Sequence, residues 1–364
     1  MGLRRTRIYL GFSIAVLVAA TASGCSTLGY YAQSIEGQYR VLEKRRPIEA
    51  VLTDPTTLPA LKVKLANVLR AREFAFHDLG LPDNGSYSSY VDLQRRYVVW
   101  NVYAAPKLSL RPKTWCFPIA GCVDYRGYFE HQAAERYAAY LRRQGYDVYL
   151  GGVAAYSTLG WFRDPVLNTV LRGSNTDIAG LIFHELAHQE LYIRGDTAFD
   201  ESFAMSVEFE GMRRWLKANG DSTKLCQYQQ GQERQQRVMA LLLRYRNHLE
   251  SLYASSEPDE TKLEQKQKIF SDLHAAYARL RAQSRGYAGY DAWFSQKFDN
   301  ASFVPIRLYN RYVPAFDALL RSVGGNLPAF YSRAKAISQL PPKERHHILA
   351  SLANNKGATV AGNN

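Results

Sequence analysis

The segment Leu181-Ile182-Phe183-His184-Glu185-Leu186-Ala187-His188-Gln189 places a His-Glu-x-x-His motif inside an apolar run. Four residues are nearly one helical turn, so on a helix His184 and His188 project from the same face and can bind one metal ion. Glu185 lies about 100° round the helix, where its carboxylate can reach a water on the metal without being a ligand. The alternative is a chance match on a buried helix, but the sequence around the motif favours a zinc hydrolase.

A third metal ligand is expected from the following helix. A zinc ion in a hydrolase takes three protein ligands and keeps one position open. Glu201 follows His188 by thirteen residues, and a turn at Gly195 lets the chain reverse between two antiparallel helices. Glu208 shares the helical face of Glu201, which makes it the alternative ligand or an outer-shell partner of a histidine. A purely helix-capping role for Glu201 is the weaker interpretation.

The order of the elements predicts an α+β fold. Strand-like segments cluster between Tyr97 and Tyr156, which indicates a small, mostly antiparallel sheet that precedes the metal-site helices, and helical patterns dominate afterwards. The strand over 147–156 carries Gly151 and Gly152, which favours an exposed edge where another backbone comes close and an extended peptide can add by β-augmentation. An ordinary interior strand is the alternative.

The helical part is expected to contain a long hairpin over 229–283 and a helix over 308–321 that is interrupted at Pro314. These segments suggest four regions: a signal peptide over 1–24, an α/β metallopeptidase core with the zinc site over 25–220, a helical part that covers the cleft over 221–352, and a disordered tail over 353–364.

Residues 1–24 are typical of an exported bacterial lipoprotein. Arginines precede an apolar run over 8–20, and small residues lead directly to Cys25. We expect cleavage at this point and a lipid on Cys25 that attaches the chain to a membrane, with a plain signal peptide as the alternative. Ser26 in second place indicates the outer membrane of a Gram-negative bacterium, so we expect the protein to face the periplasm.

The other cysteines and the charge agree with export. Cys116 and Cys122 lie in a loop with proline and glycine and could close into a disulfide; a zinc pair is the alternative. We expect Cys226 to be reduced and partly buried. The net charge of +13 favours anionic lipid or acidic envelope polymers, or is simply a solvated face. Nucleic acid is not an expected partner, and the sequence does not indicate the oligomeric state.

The motifs also resemble a known family. His-Glu-x-x-His followed by Asp-Glu-Ser-Phe-Ala at 200–204 is similar to the gluzincin arrangement, whose second motif is Asn-Glu-x-x-Ala. More closely, the chain resembles a proteobacterial family of lipoprotein aminopeptidases over most of its mature length. The likeness is carried by Trp-Cys-Phe-Pro-Ile-Ala-Gly-Cys at 115–122, Tyr-Arg-Gly-Tyr-Phe at 125–129, Ala-Tyr-Ser-Thr-Leu-Gly-Trp-Phe at 155–162 and the two metal segments. Asp200 departs from the usual Asn, but it can also hydrogen-bond an outer-shell group.

This resemblance implies a thermolysin-like catalytic core, one Zn²⁺ and aminopeptidase activity on peptides. In the implied mechanism, zinc activates a water and polarises the scissile carbonyl, and Glu185 is the general base. Tyr309 and Tyr312 are candidates for stabilising the oxyanion, with a core or rim position as the alternative. An aminopeptidase also needs an acidic group for the substrate ammonium, for which Glu208 and Glu130 are candidates.

Two other functions remain open at this stage. One is a catalytically silent, zincin-like envelope lipoprotein that acts as a binding module, and the other is a metalloprotease that cleaves internal bonds. The intact Glu185 favours catalysis, because a retired enzyme has no chemical need for this carboxylate.

Overall fold

The computed structural model describes residues 29–117, 121–155, 158, 162–283, 289–309 and 312–354. The strands of the described residues are β1 (Arg46–Pro47), β2 (Ser89–Val91), β3 (Val99–Pro106), β4 (Trp115–Phe117), β5 (Gly121–Val123), β6 (Arg126–Tyr128), β7 (Tyr146–Val153) and β8 (Val166–Leu167). The helices are α1 (29–43), α2 (Ile48–Thr53), α3 (Pro59–His77), α4 (His131–Arg143), α5 (Asn175–Glu190), α6 (Thr197–Ala218), α7 (Ser222–Ala254), α8 (Asp259–Gln283), α9 (Asp291–Phe294), α10 (Val304–Tyr309), α11 (Val313–Ser322), α12 (Leu327–Ser338) and α13 (Pro342–Asn354). Short 3₁₀ helices cover Val170–Arg172 and Asn300–Phe303.

The architecture is mixed α and β with small sheets and a helical C-terminal half, which confirms that part of the prediction. One antiparallel sheet has the order β6-β3-β7, and β3 pairs with β7 along its whole length. A second sheet has the order β1-β2-β8 and contains one parallel pair, β2 with β8. The strands β4 and β5 form a hairpin that is closed by a disulfide between Cys116 and Cys122.

The largest core cluster forms around α5 and α6. Gly211 on α6 is needed for this packing, because a Cβ there would lie 2.8 Å from Leu79 and 2.9 Å from the ring of Phe183. Phe203 of α6 packs on Phe316 of α11 and Phe330 of α12. The cluster therefore joins residues from both sides of the expected boundary at 220, and the division into domains stays a prediction.

The helices α11 and α12 pack on α6 through Phe203. Phe203 and Glu201 are two residues apart on α6, which places them on opposite faces of the helix. The expected covering of the cleft by the helical part stays a prediction.

The long helical hairpin of α7 and α8 is confirmed, and its apolar side forms a second core cluster. A buried ion pair between Lys266 of α8 and Asp147 of β7 attaches this hairpin to the antiparallel sheet. Cys226 is free as expected, but it is exposed rather than partly buried. Helix α7 turns that residue to solvent, while Leu225 and Tyr228 pack against the main core.

Among the described residues, no helix is both long and apolar enough to cross a membrane. The expected signal peptide, Cys25 and nearly all of the expected tail lie outside the described residues.

Candidate metal centre

The helix α5 starts with a capping box that sets the phase of the motif. The backbone N of Asp177 donates to Ser174 Oγ at 3.2 Å, and the backbone N of Ser174 donates to Asp177 Oδ2 at 2.9 Å. These bonds satisfy backbone donors that the first turn leaves unpaired. His184 lies nine residues after Asn175, the first residue of α5, and is followed by Glu185 and His188.

The helix α6 is fixed at its start by Asp196. This residue is the N-cap and accepts a hydrogen bond from the backbone N of Phe199 at 3.2 Å. The other oxygen of Asp196 accepts from Arg345 at 2.7 Å and contacts His346 Nε2 at 2.8 Å. The last helix, α13, therefore holds the start of α6, where Glu201 lies.

These two helices bring His184, His188 and Glu201 together. One potential ligand atom from each residue lies within 4.8 Å of the others. Glu201 Oε2 is 3.4 Å from His184 Nε2, and Glu201 Oε1 is 3.7 Å from His188 Nε2. Donors at 2.0–2.1 Å from a tetrahedral ion are separated by about 3.3–3.5 Å, so the spacing fits a single metal ion.

The state of Glu201 supports this fit. Its Oε2 is buried and makes no hydrogen bond among the described residues, which is expected for an oxygen reserved for a cation. Burial raises the pKa of Glu201, but the interactions with His184 and His188 outweigh burial, so its pKa is lowered. Glu201 is therefore ionised at neutral pH, as a metal ligand must be.

Glu208 occupies an outer position next to His184. Its Oε2 lies 3.1 Å from His184 Nδ1. Gly180 makes room for this carboxylate, because a Cβ at Gly180 would be 3.2 Å from Glu208 Oε1. A carboxylate at Nδ1 favours the tautomer that carries its proton there and leaves the Nε2 lone pair for a metal.

The surroundings shift the pKa values of the two histidines and of Glu185 in different directions. Burial lowers the pKa of His188 to about 4, so its imidazole is neutral and can donate a lone pair. Burial also lowers the pKa of His184, but the contacts with Glu201 and Glu208 outweigh it, so its pKa is raised in the metal-free protein. Burial raises the pKa of Glu185 to about 7, against the opposing charge of His184. Glu185 is only 8% exposed.

The likeness to known proteins is clear at the level of the family. The model of the family described as "Putative aminopeptidase" matches residues 29–349. The chain belongs to this family. The matched range contains all three residues of the metal group together with Glu185 and Glu208. Comparison with the curated proteins and with the solved structures finds no match.

An aminopeptidase requires an acidic group for the substrate ammonium, and Asp200 and Glu130 have different surroundings. Asp200 is 1% exposed, and its Oδ1 accepts a hydrogen bond from the backbone N of Ile193 at 2.8 Å. Burial raises the pKa of Asp200 to about 8. It therefore ties the α5–α6 connection to α6. Glu130 is exposed, and its closest cationic partner is Arg40 at 4.0 Å.

The two tyrosines proposed for stabilising the oxyanion differ in how far the structure describes them. Tyr309 is the last residue of α10, and its side chain lies outside the described part of the structure. Tyr312 is 3% exposed, and its ring stacks on His346 with a centroid distance of 5.5 Å. Its backbone N donates to Ser202 Oγ at 3.0 Å. Tyr312 therefore packs in the core, and its role at the oxyanion stays a prediction.

Other tyrosines lie near the site. Burial raises the pKa of Tyr103, Tyr125 and Tyr192, and the charge of Glu201 adds to the effect in each case. Burial and then the charge of Glu185 raise the pKa of Tyr87. Tyr103 lies in the buried run of β3, whereas no local sequence pattern points to Tyr87.

The strand β7 lies at the edge of its described sheet, as expected. At Val148, side chains bond the backbone groups of this strand: the N donates to Asp299 Oδ2 at 3.0 Å, and the O accepts from Arg142 at 3.1 Å. The two glycines lie against aromatic rings. A Cβ at Gly152 would lie 2.4 Å from the ring of Tyr97, and one at Gly151 would lie 3.0 Å from Tyr149. The approach of a substrate backbone at these glycines stays a prediction.

One cavity among the described residues lies away from the metal group. It measures about 360 Å³ and lies between α8 and α9, where Tyr277, Arg281 and Phe294 contribute to its lining. None of the metal-binding candidates borders it.

Proposed function

We propose that the chain is a zinc-dependent aminopeptidase that binds one zinc ion through His184, His188 and Glu201. The observation that carries the proposal is the convergence of two imidazoles and a carboxylate at single-metal spacing, with Glu185 buried beside them. Membership of an aminopeptidase family supports the same reaction class.

Zinc is the metal that this donor set suits best. Two histidines and one glutamate form a ligand set of zinc hydrolases, whereas Mg²⁺ and Ca²⁺ prefer sites built only from oxygen atoms. Zinc bound there would polarise the scissile carbonyl and lower the pKa of water.

Glu185 is the proposed general base. Its buried carboxylate follows the ligand His184 in the chain, which places it to accept a proton from the attacking water and return it to the leaving amine. Glu208 holds His184 with Nε2 directed to Glu201 and so fixes one side of the ligand group.

The oxyanion donor and the peptide-binding strand are proposed from the elements that carry them. Tyr309 remains our candidate for binding the oxyanion, since α10 packs against both α6 and β3. We propose that the edge of β7 holds an extended peptide by backbone hydrogen bonds, except at Val148, whose N and O are already bonded to side chains.

The cellular setting is part of the proposal. We propose that the mature chain carries a lipid on Cys25 and faces the periplasm from the outer membrane of a Gram-negative bacterium. The disulfide between Cys116 and Cys122 supports an oxidising compartment.

The test is hydrolysis by purified protein that begins at Ser26, loaded with zinc. The substrates are matched peptides with a free or an acetylated N-terminus, and mass spectrometry identifies the products. An aminopeptidase releases single residues from the free peptides and leaves the acetylated ones intact. Internal cleavage of both sets would instead indicate an endopeptidase. Zinc-loaded protein that cleaves neither set would overturn the enzymatic proposal in favour of a binding module.

A further inference from the structure

Tyr87 has an unusual backbone for a bulky residue. Its φ is 61°, in the left-handed region that costs free energy for any side chain other than glycine. Such conformations persist where the surrounding structure fixes them, and they concentrate at functional sites.

The turn around Tyr87 is held from three directions. The backbone N of Tyr87 donates to Asp164 O at 2.6 Å. Arg72 of α3 donates to Ser86 O at 2.9 Å, and Gln189 of α5 donates to Ser86 Oγ at 3.5 Å. The turn is therefore fixed against the same helix that carries the metal motif.

The hydroxyl of Tyr87 is buried without a partner. Tyr87 is 6% exposed, and its hydroxyl makes no hydrogen bond among the described residues. A buried hydroxyl normally has a partner, because leaving it unpaired costs free energy. Burial and the charge of Glu185 hold the pKa of Tyr87 well above its usual value, so the group remains a donor.

A small apolar cavity lies between this tyrosine and α5. It holds about 20 Å³ and is bordered by Tyr87, by Val166 of β8, and by Ile178 and Leu181 of α5. Residues 178, 181 and 185 share one helical face, so the cavity follows that face away from Glu185. This volume suits a group about the size of a water molecule or a methyl group.

The chemistry of Glu185 decides which part of a peptide lies there. Under the proposed function, on which this inference rests, Glu185 returns a proton to the leaving amine. That amine belongs to the residue after the scissile bond, so under the proposed function this residue faces Glu185 and the face of α5 that continues to Leu181.

We propose that this cavity is a specificity subsite for a small apolar side chain on the residue after the scissile bond, and that the Tyr87 hydroxyl donates a hydrogen bond to the backbone of that residue. The subsite admits alanine readily and excludes leucine and phenylalanine. A bound peptide supplies the acceptor that the hydroxyl otherwise lacks.

The experiment measures kcat/KM on peptides that differ only at the residue after the scissile bond. Wild type should favour alanine over phenylalanine by at least about tenfold, the range expected for a pocket that rejects a larger group. Leu181→Ala widens the cavity and should lower this ratio severalfold. Leu69→Ala, a matched truncation of a partly buried leucine on α3, should leave the ratio unchanged.

The second arm tests the hydroxyl without changing the shape of the cavity. Tyr87→Phe should raise KM by about fivefold to tenfold with kcat nearly unchanged, as expected for loss of a hydrogen bond made equally in the ground and transition states. Tyr90→Phe is the matched control and should behave as wild type. Zinc content and melting temperature verify that each variant is folded.

The outcomes separate this inference from the proposed function. Wild type that hydrolyses peptides but has the same alanine-to-phenylalanine ratio as Leu181→Ala would overturn the subsite, and the proposed function would stand. Tyr87→Phe with the wild-type KM would overturn the role of the hydroxyl in the same way. Absence of any hydrolysis by zinc-loaded wild type would overturn the proposed function and this inference with it.

Discussion

Replacing Glu208 with alanine removes the carboxylate that contacts His184 Nδ1 at 3.1 Å. The side chain of His184 is 13% exposed, so water has little access to replace the lost acceptor. Outer-shell carboxylates of this kind contribute about 10-fold to 100-fold to metal affinity. We therefore expect the zinc dissociation constant to rise by about that factor, or about 1.4–2.8 kcal/mol.

The assay is equilibrium competition with a zinc-binding dye at neutral pH. Glu208→Gln keeps an oxygen that can accept from Nδ1 and should lose less affinity than Glu208→Ala. Glu210→Ala is the control on the same helix, because its carboxylate pairs with Arg213 and Arg214 instead. This control should bind zinc as wild type does.

Two results would refute the reasoning. Wild-type zinc affinity in Glu208→Ala would show that the contact with His184 does not support the metal. Complete loss of zinc binding in both Glu208 variants would make Glu208 a direct ligand, which is the alternative that the sequence left open.

Three further predictions concern ligands, pH and the buried ion pair. Glu201→Ala should lose stoichiometric zinc by mass spectrometry of the dialysed protein, and unchanged content would contradict the ligand assignment. In the metal-free protein, burial raises the pKa of Asp200 from 3.8 to about 8. The folded state thus keeps a proton that the unfolded state releases, so this residue lowers stability as pH rises from about 4 to about 8. Asp200→Asn should reduce that slope in chemical denaturation, and equal slopes would contradict the burial argument. Lys266→Met leaves Asp147 buried without its cation and should cost about 3–5 kcal/mol of unfolding free energy, whereas adding Asp147→Asn should recover much of it. A loss below about 1 kcal/mol would show that solvent already screens the pair.

The metal group was predictable because it depends on local geometry. Helical periodicity alone places His184 and His188 on one face of α5. A short connection between two helices makes them neighbours, and this brings Glu201 back to the same place. The role of Glu208 beside His184 followed from the same periodicity, as one of two alternatives.

The ends of the helices depended on contacts that periodicity does not reveal. The sequence indicates a turn at Gly195, but α5 already ends at Glu190, and Leu191 is extended. The backbone N of Ile193 donates to Asp200 Oδ1 instead of to its own helix. A side chain from the next helix therefore decides where this helix stops.

The far side of the site also could not be predicted from the sequence. An amphipathic pattern shows that α11 and α12 have an apolar face, but it does not show which side of α6 that face covers. Tyr312, which the sequence proposed for the cleft, packs against His346 in the core. Tyr87 reaches α5 through a turn that is fixed by hydrogen bonds from residues far away in the sequence.

The most direct test of the central claim compares zinc content and peptide hydrolysis in wild type and in Glu185→Gln. The substitution keeps the size of the side chain and all three proposed ligands, but it removes the group that accepts the proton. We predict about one zinc per chain in both proteins, hydrolysis of free-N-terminal peptides by wild type, and a loss of at least about 100-fold in kcat for Glu185→Gln. Equal hydrolysis by the two zinc-loaded proteins would contradict the assignment of Glu185 as general base.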